Sequence, residues 1–121
     1  MSAPTATPDY AQGAAYVGGQ YVPIAEARIP ITDWGFLRSD ATYDVVTVWD
    51  GAFFRLDAHL ERFMASCARF RLDPGLPPAG IAEVLARCVR LSGLRAAYVE
   101  MIVTRGQPPW GSRDPRHAVN Q

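Results

Sequence analysis

The chain is predicted to form one α+β domain, a mainly antiparallel sheet with two helices packed on one face. Three observations predict this. Strand-forming runs punctuated by tight-turn dipeptides fill residues 14–56, two amphipathic helical periods fill about 58–71 and 79–92, and a strong strand follows at Ala97–Arg105. At 121 residues the chain suffices for one ordinary core and is too short for two.

Residues 1–12, mostly Ala, Pro, Thr and Ser, read as a flexible leader. Ala14–Val17 and Tyr21–Pro23, joined by Gly18-Gly19, read as a short hairpin. Pro23 and Pro30 restrict residues 24–31 to extended geometry at the sheet margin, leading to a loop at Asp33-Trp34-Gly35. Tyr43–Trp49 is rich in β-branched and aromatic residues and reads as a strand. Asp50-Gly51 then supplies the positive φ that a type I′ turn needs at both central positions, which makes Ala52–Leu56 the partner strand. Asp57 is expected to cap the helix that follows.

That helix places Leu60, Phe63, Met64 and Cys67 on one stripe, and the next repeats the spacing with Ile81, Val84, Leu85, Cys88 and Val89 before a glycine cap at Gly93. Both helices therefore lie on a sheet. The near-continuous apolar run at 98–103 predicts a central strand. Beyond Gly106 three prolines interrupt any period, so 13–106 is assigned as the domain and 107–121 as an interdomain loop, truncated.

Twelve acidic residues balance twelve basic ones at a pI near 6.7, so no strong field draws the chain to nucleic acid or an anionic membrane. No apolar run is long enough to cross a bilayer, and the first residues lack the basic and apolar regions of a secretory signal, so a cytosolic protein is expected. All twelve basic residues are arginine, which leaves no lysine. Any chemistry that needs a side-chain amine is closed to these residues alone. Two histidines, His59 and His117, argue against a histidine metal centre, and the widely separated Cys67 and Cys88 read as core residues. No nucleophile elbow, P-loop or dinucleotide-binding glycine motif is present.

Period two puts Tyr43, Val45, Thr47 and Trp49 on one strand face and Asp44, Val46 and Val48 on the other, and it groups Tyr98, Glu100, Ile102 and Thr104 on the later strand. Glu100 in a central strand requires either an arginine partner or a role in a pocket wall, because an unpaired buried carboxylate is costly. Arg62, near a helix start and a hairpin end, fits an anion site suited to phosphate, or a solvated surface arginine. His59 is read as packing on the neighbouring strand.

The run RSDATYDVVTVWDGAFFRLDAHLER resembles the N-terminal domain of class IV (fold type IV) pyridoxal-phosphate aminotransferases, which include the branched-chain and D-amino-acid enzymes. Its SDATYDV and VWDGAFFRLDAH words are most similar to the (R)-selective amine transaminases, and AYVEMIVTRG matches the family's next strand. The resemblance implies that Arg62 holds the phosphate of pyridoxal 5'-phosphate. It further implies that Arg38, Tyr43, Val45, Tyr98 and Glu100 line the substrate pocket, and that Arg113, in the loop after TRG, meets a substrate carboxylate. Such enzymes hold the cofactor through a lysine of a second, C-terminal domain and are usually homodimers. The expected function is therefore the N-terminal part of an aminotransferase acting on an amine or amino acid and a keto acid, without a catalytic residue of its own and inactive alone. A Lys-free binding or dimerisation module, and a parent enzyme of the aminodeoxychorismate-lyase type, are the alternatives. Uncovered apolar groups such as Trp49 and Tyr98 predict marginal stability and self-association of the isolated chain.

Overall fold

The computed structural model describes residues 7–121, so half of the expected leader lies outside the described residues. A first antiparallel hairpin pairs β1 (Ala14–Val17) with β2 (Gln20–Pro23) across Gly18-Gly19, both at positive φ. The chain then departs from the extended path expected for residues 24–31. It makes a single 3-10 turn at Ile24–Glu26 and continues without strand pairing to a one-turn helix, α1 (Trp34–Leu37). Buried Asp33 starts α1: its carboxylate accepts the Gly35 amide at 2.7 Å and the Thr104 hydroxyl at 2.8 Å.

The main sheet has three antiparallel strands in the order β4 (Ala52–Phe53), β3 (Ala41–Trp49), β5 (Ala97–Thr104). The central strand is thus β3, and β5 is its edge neighbour, contrary to the central position expected for β5. Its continuous apolar character arises because Tyr98 and Ile102 line a face that these residues leave open. The Asp50-Gly51 turn takes the expected form, with φ of 50° and 78°. Its partner strand is shorter than expected, because Arg55 adopts a left-handed conformation (φ 56°) that ends strand pairing.

Helix α2 (Leu56–Phe70) begins at that kink. Asp57 falls inside the first turn and no side chain caps the helix, so the expected Asp57 cap is not formed. After the 71–77 turn, α3 (Pro78–Ser92) runs to a left-handed Gly93. The stripes face inward as their periods require. Leu60, Phe63 and Cys67 of α2 and Ile81 and Leu85 of α3 join Val46, Leu72, Met101 and Val103 in one core, with Met64, Ala82 and Val99 packed at its margin. Both cysteines are buried and unbridged, and burial pushes their thiols above the usual pKa.

Residues 107–121 contain a short turn at Pro115–His117 and return to the domain. Gln121 exchanges backbone hydrogen bonds with Thr104, and Asn120 bonds the Asp73 amide and the Arg105 carbonyl. Gly106 lies against the Val119 carbonyl with no room for a Cβ, at a φ of 78°. Among the described residues no helix is long and apolar enough to cross a membrane.

Candidate functional site

Register decides which candidate residues meet. In the β3–β5 ladder Val45 faces Glu100, Tyr43 faces Ile102 and Thr47 faces Tyr98, all on the face away from α2 and α3. Tyr43, Val45, Tyr98 and Glu100 therefore share one open surface. Tyr98 is 82% exposed and Trp49 73%. Glu100 is itself exposed and, among the described residues, forms no ion pair, so its carboxylate meets no burial cost. One end of this surface is closed by α1, where a Cβ on Gly35 would sit 2.7 Å from Thr104. That contact buries Thr104, although its position in the alternation matches Tyr98 and Ile102.

Arg62 stands on the other side. It is the seventh residue of α2, past the free amides of the first turn. Its side chain leans back toward the N-terminus, as helical side chains do, and reaches Asp44 of β3. Asp44 lies on the same strand face as Val46 and is 5% exposed. The pair is a side-on fork, with Nε donating to Oδ2 at 2.7 Å and Nη2 to Oδ1 at 2.9 Å. His59 Nδ1 lies 2.7 Å from the same Oδ1, and the Val45 amide donates to it at 3.0 Å. Hydrogen bonding from Arg62 outweighs burial and holds the Asp44 carboxyl down at about 2. An ionised carboxylate only accepts, so in this contact Nδ1 of His59 is the donor.

Guanidinium has five N–H donors, and Asp44 takes two. Both Nη1 protons and one on Nη2 remain, on a side chain that is 68% exposed. His59 Nδ1 lies 3.4 Å from Nη2 but directs its proton at Asp44 and does not accept. A carboxylate bonded side-on thus leaves the end-on edge of Arg62 open for a second, planar-spaced anion. The other candidates stand apart: Arg38 follows α1 with its guanidinium 3.9 Å from the Trp34 ring centroid, and Arg113 is exposed in the 107–114 loop. Sequence reasoning passed over Asp44. The signal was its place in the alternation beside Val46 and Val48, which required a charge partner on the covered face.

The sequence profile of amino-transferase class IV matches residues 41–120. The chain belongs to the class IV aminotransferases. A putative branched-chain-amino-acid aminotransferase of Methanocaldococcus jannaschii is 31% identical over 101 residues, covering 84% of this chain and 35% of that protein. The D-alanine aminotransferase of Staphylococcus haemolyticus is 24% identical over 94 residues, covering 78% of this chain and 33% of the relative. The chain thus spans about a third of the length of these relatives. In fold, it superposes on a T.th. branched-chain amino acid aminotransferase, solved with pyridoxamine 5'-phosphate, with a TM-score of 0.78 at 21% identity, over 89% of this chain and 37% of that one. The Escherichia coli branched-chain amino acid aminotransferase gives a TM-score of 0.79 at 16% identity, covering 89% and 38%. The expected α+β class IV fold is the fold found. All four members of the Asp44, Val45, His59 and Arg62 network fall inside the region that the family profile matches.

Proposed function

We propose that this chain forms the N-terminal, cofactor-anchoring part of a pyridoxal-phosphate-dependent class IV aminotransferase, a cytosolic homodimer transferring an amino group between an amine or amino acid and a keto acid. The observation that carries this reading is the family match across residues 41–120. Residues 13–106 are the domain proper and 107–121 the connection toward the remainder of the enzyme. Arg62 fits the cofactor's phosphate: three N–H donors face outward on a guanidinium fixed along its other edge.

Pyridoxal phosphate, when bound, supplies the electron sink that amino-group transfer requires. This chain's residues bind and orient. Arg62 holds the phosphate end. Tyr43, Val45, Tyr98 and Glu100, on the open face, shape the substrate pocket once the remainder of the enzyme covers it, with Arg38 and Arg113 at its approaches as partners for a substrate carboxylate. The SDATYDV and VWDGAFFRLDAH words favour an amine as donor, in the manner of (R)-selective amine transaminases. No side chain here can form the covalent attachment, since the chain has no lysine.

The test is an assay of the purified 121-residue chain with pyridoxal phosphate, an amine or amino acid donor and a keto acid, followed by borohydride reduction. No turnover and no reduced cofactor covalently bound to the protein are expected. Turnover, or a cofactor that peptide mapping finds fixed by reduction anywhere but on the N-terminal α-amine, would overturn the division of labour proposed here.

A further inference from the structure

An arginine that is 68% exposed, on a flexible four-bond stem, does not by itself present a fixed fork to a ligand. If Arg62 anchors the cofactor's phosphate, its guanidinium must be held in place by a neighbour. Resting on that reading of Arg62, we propose that Asp44 is the positioning residue of the anchor, transmitting the rigid geometry of β3 through its carboxylate to the outward edge of the guanidinium.

Asp44 is fixed on three sides. Its backbone is in the central strand, its Oδ1 accepts the Val45 amide at 3.0 Å, and His59 Nδ1 lies 2.7 Å from the same oxygen. Both oxygens then hold Nε and Nη2 of Arg62. A two-point grip along one edge fixes the guanidinium plane and its rotation in that plane, so the opposite edge has one orientation. The network is complete, because among the described residues no buried side-chain polar atom lacks a partner.

The sign of the effect separates positioning from charge. Asp44 is negative and lies beside a site proposed for a dianion. If Arg62 worked only as a point charge, neutralising Asp44 would strengthen phosphate binding. If Asp44 works by orienting the fork, the same change weakens it. Asp44→Asn keeps the shape but replaces one oxygen with an NH2 group that cannot accept; with its carbonyl kept where His59, Val45 and Nη2 donate, the NH2 meets the Nε–H of Arg62, and the two-point grip is reduced to one.

The experiment measures dissociation constants of pyridoxal 5'-phosphate and of pyridoxal, which lacks the phosphate, for the 121-residue chain, Asp44→Asn, Arg62→Met and the double variant. Wild type is expected to prefer the phosphorylated ligand. Asp44→Asn should lower that preference about tenfold with pyridoxal affinity unchanged, and should add nothing in the Arg62→Met background. Preference in Asp44→Asn equal to or above wild type overturns the inference while leaving the aminotransferase reading intact. Absence of any preference in wild type overturns the anchor role of Arg62 itself, and the inference with it. Because Asp44→Asn can lose its fold, a second measurement uses wild type alone: the Arg62 Nε–H should exchange with solvent at least tenfold more slowly than that of Arg69, whose side chain forms no hydrogen bond among the described residues. Equal exchange at both overturns the inference.

Discussion

The two faces of the β3–β5 sheet come from the same two strands, and alternate residues along them meet opposite environments. On the covered face Val46 and Val48 are at most 1% exposed, and the one carboxylate, Asp44, is held by an arginine, a histidine and an amide. On the open face Tyr43, Trp49, Tyr98 and Ile102 keep large apolar surfaces in solvent, and the carboxylate, Glu100, has no ion-pair partner among the described residues. The difference shows where these residues complete their own structure and where they do not. Within one domain the covered face holds the core, and the open face keeps its apolar residues exposed.

The comparison is broken most severely by removing mass from the covered side. Phe63→Ala, at a residue 2% exposed in the core, should cost about 3 to 5 kcal/mol in urea denaturation. Tyr98→Ala, of similar size change on the open side, should stay within about 0.5 kcal/mol. Comparable losses would mean that the open face is packed in solution.

A smaller effect is expected at the Asp44–His59–Arg62 network at the edge of the covered face. Arg62→Met leaves Asp44 buried with His59 and an amide alone, so the thermal midpoint should fall by several degrees, whereas Arg69→Met on the same helix should leave it in place. The sequence left Arg62 as an anion site or a solvated surface arginine, and the fork to Asp44 adds a structural role to either. Its guanidinium is exposed, but its partner is not.

Acid should sharpen the same point. Asp44 has its native pKa lowered to about 2 from 3.8, chiefly by the hydrogen bond from Arg62, so the stability it contributes is present above pH 3.8 and is lost as pH falls toward 2. Wild type should lose roughly 1 to 2 kcal/mol through this group across that window, after allowance for solvent screening. Arg62→Met should lose less of its remaining stability there, read from urea midpoints at pH 5, 3 and 2. Identical acid dependence in the two proteins would detach Asp44 from Arg62.

The smallest stability change, and the clearest change in association, is expected on the open face. Trp49→Ser combined with Tyr98→Ser should leave the midpoint nearly unchanged and shift the sedimentation profile toward monomer, since both rings present apolar area to solvent. An unchanged, monodisperse profile for wild type and variant alike would show that the exposed rings do not drive association.

Most of the architecture was legible because it rests on strong local signals. Two-residue turns at Gly18-Gly19 and Asp50-Gly51 need positive φ and found it, and the 3.6-residue stripes of α2 and α3 face the core. What escaped depended on backbone choices made in context. A left-handed Arg55 shortens β4, and a sheet order placing β3 in the middle turns the apolar run of β5 into one covered and one open row. The site was legible in composition more than in geometry. Tyr43, Val45, Tyr98 and Glu100 share a face as alternation required, but attention to Glu100 as the costly carboxylate concealed Asp44, the one that is buried. Its partners lie 15 and 18 residues away, across a turn and into a helix, where no periodicity joins them.

The central claim is that the outward edge of Arg62 receives the cofactor's phosphate, and side-chain NMR of that guanidinium tests it most directly. Pyridoxal 5'-phosphate and inorganic phosphate titrated into the wild-type chain should each shift the Arg62 Nη resonances saturably, while pyridoxal should not. Arg62→Met should lower pyridoxal 5'-phosphate affinity about ten- to a hundredfold. Unmoved Arg62 resonances at saturating ligand, or equal affinity in the variant, would contradict the account.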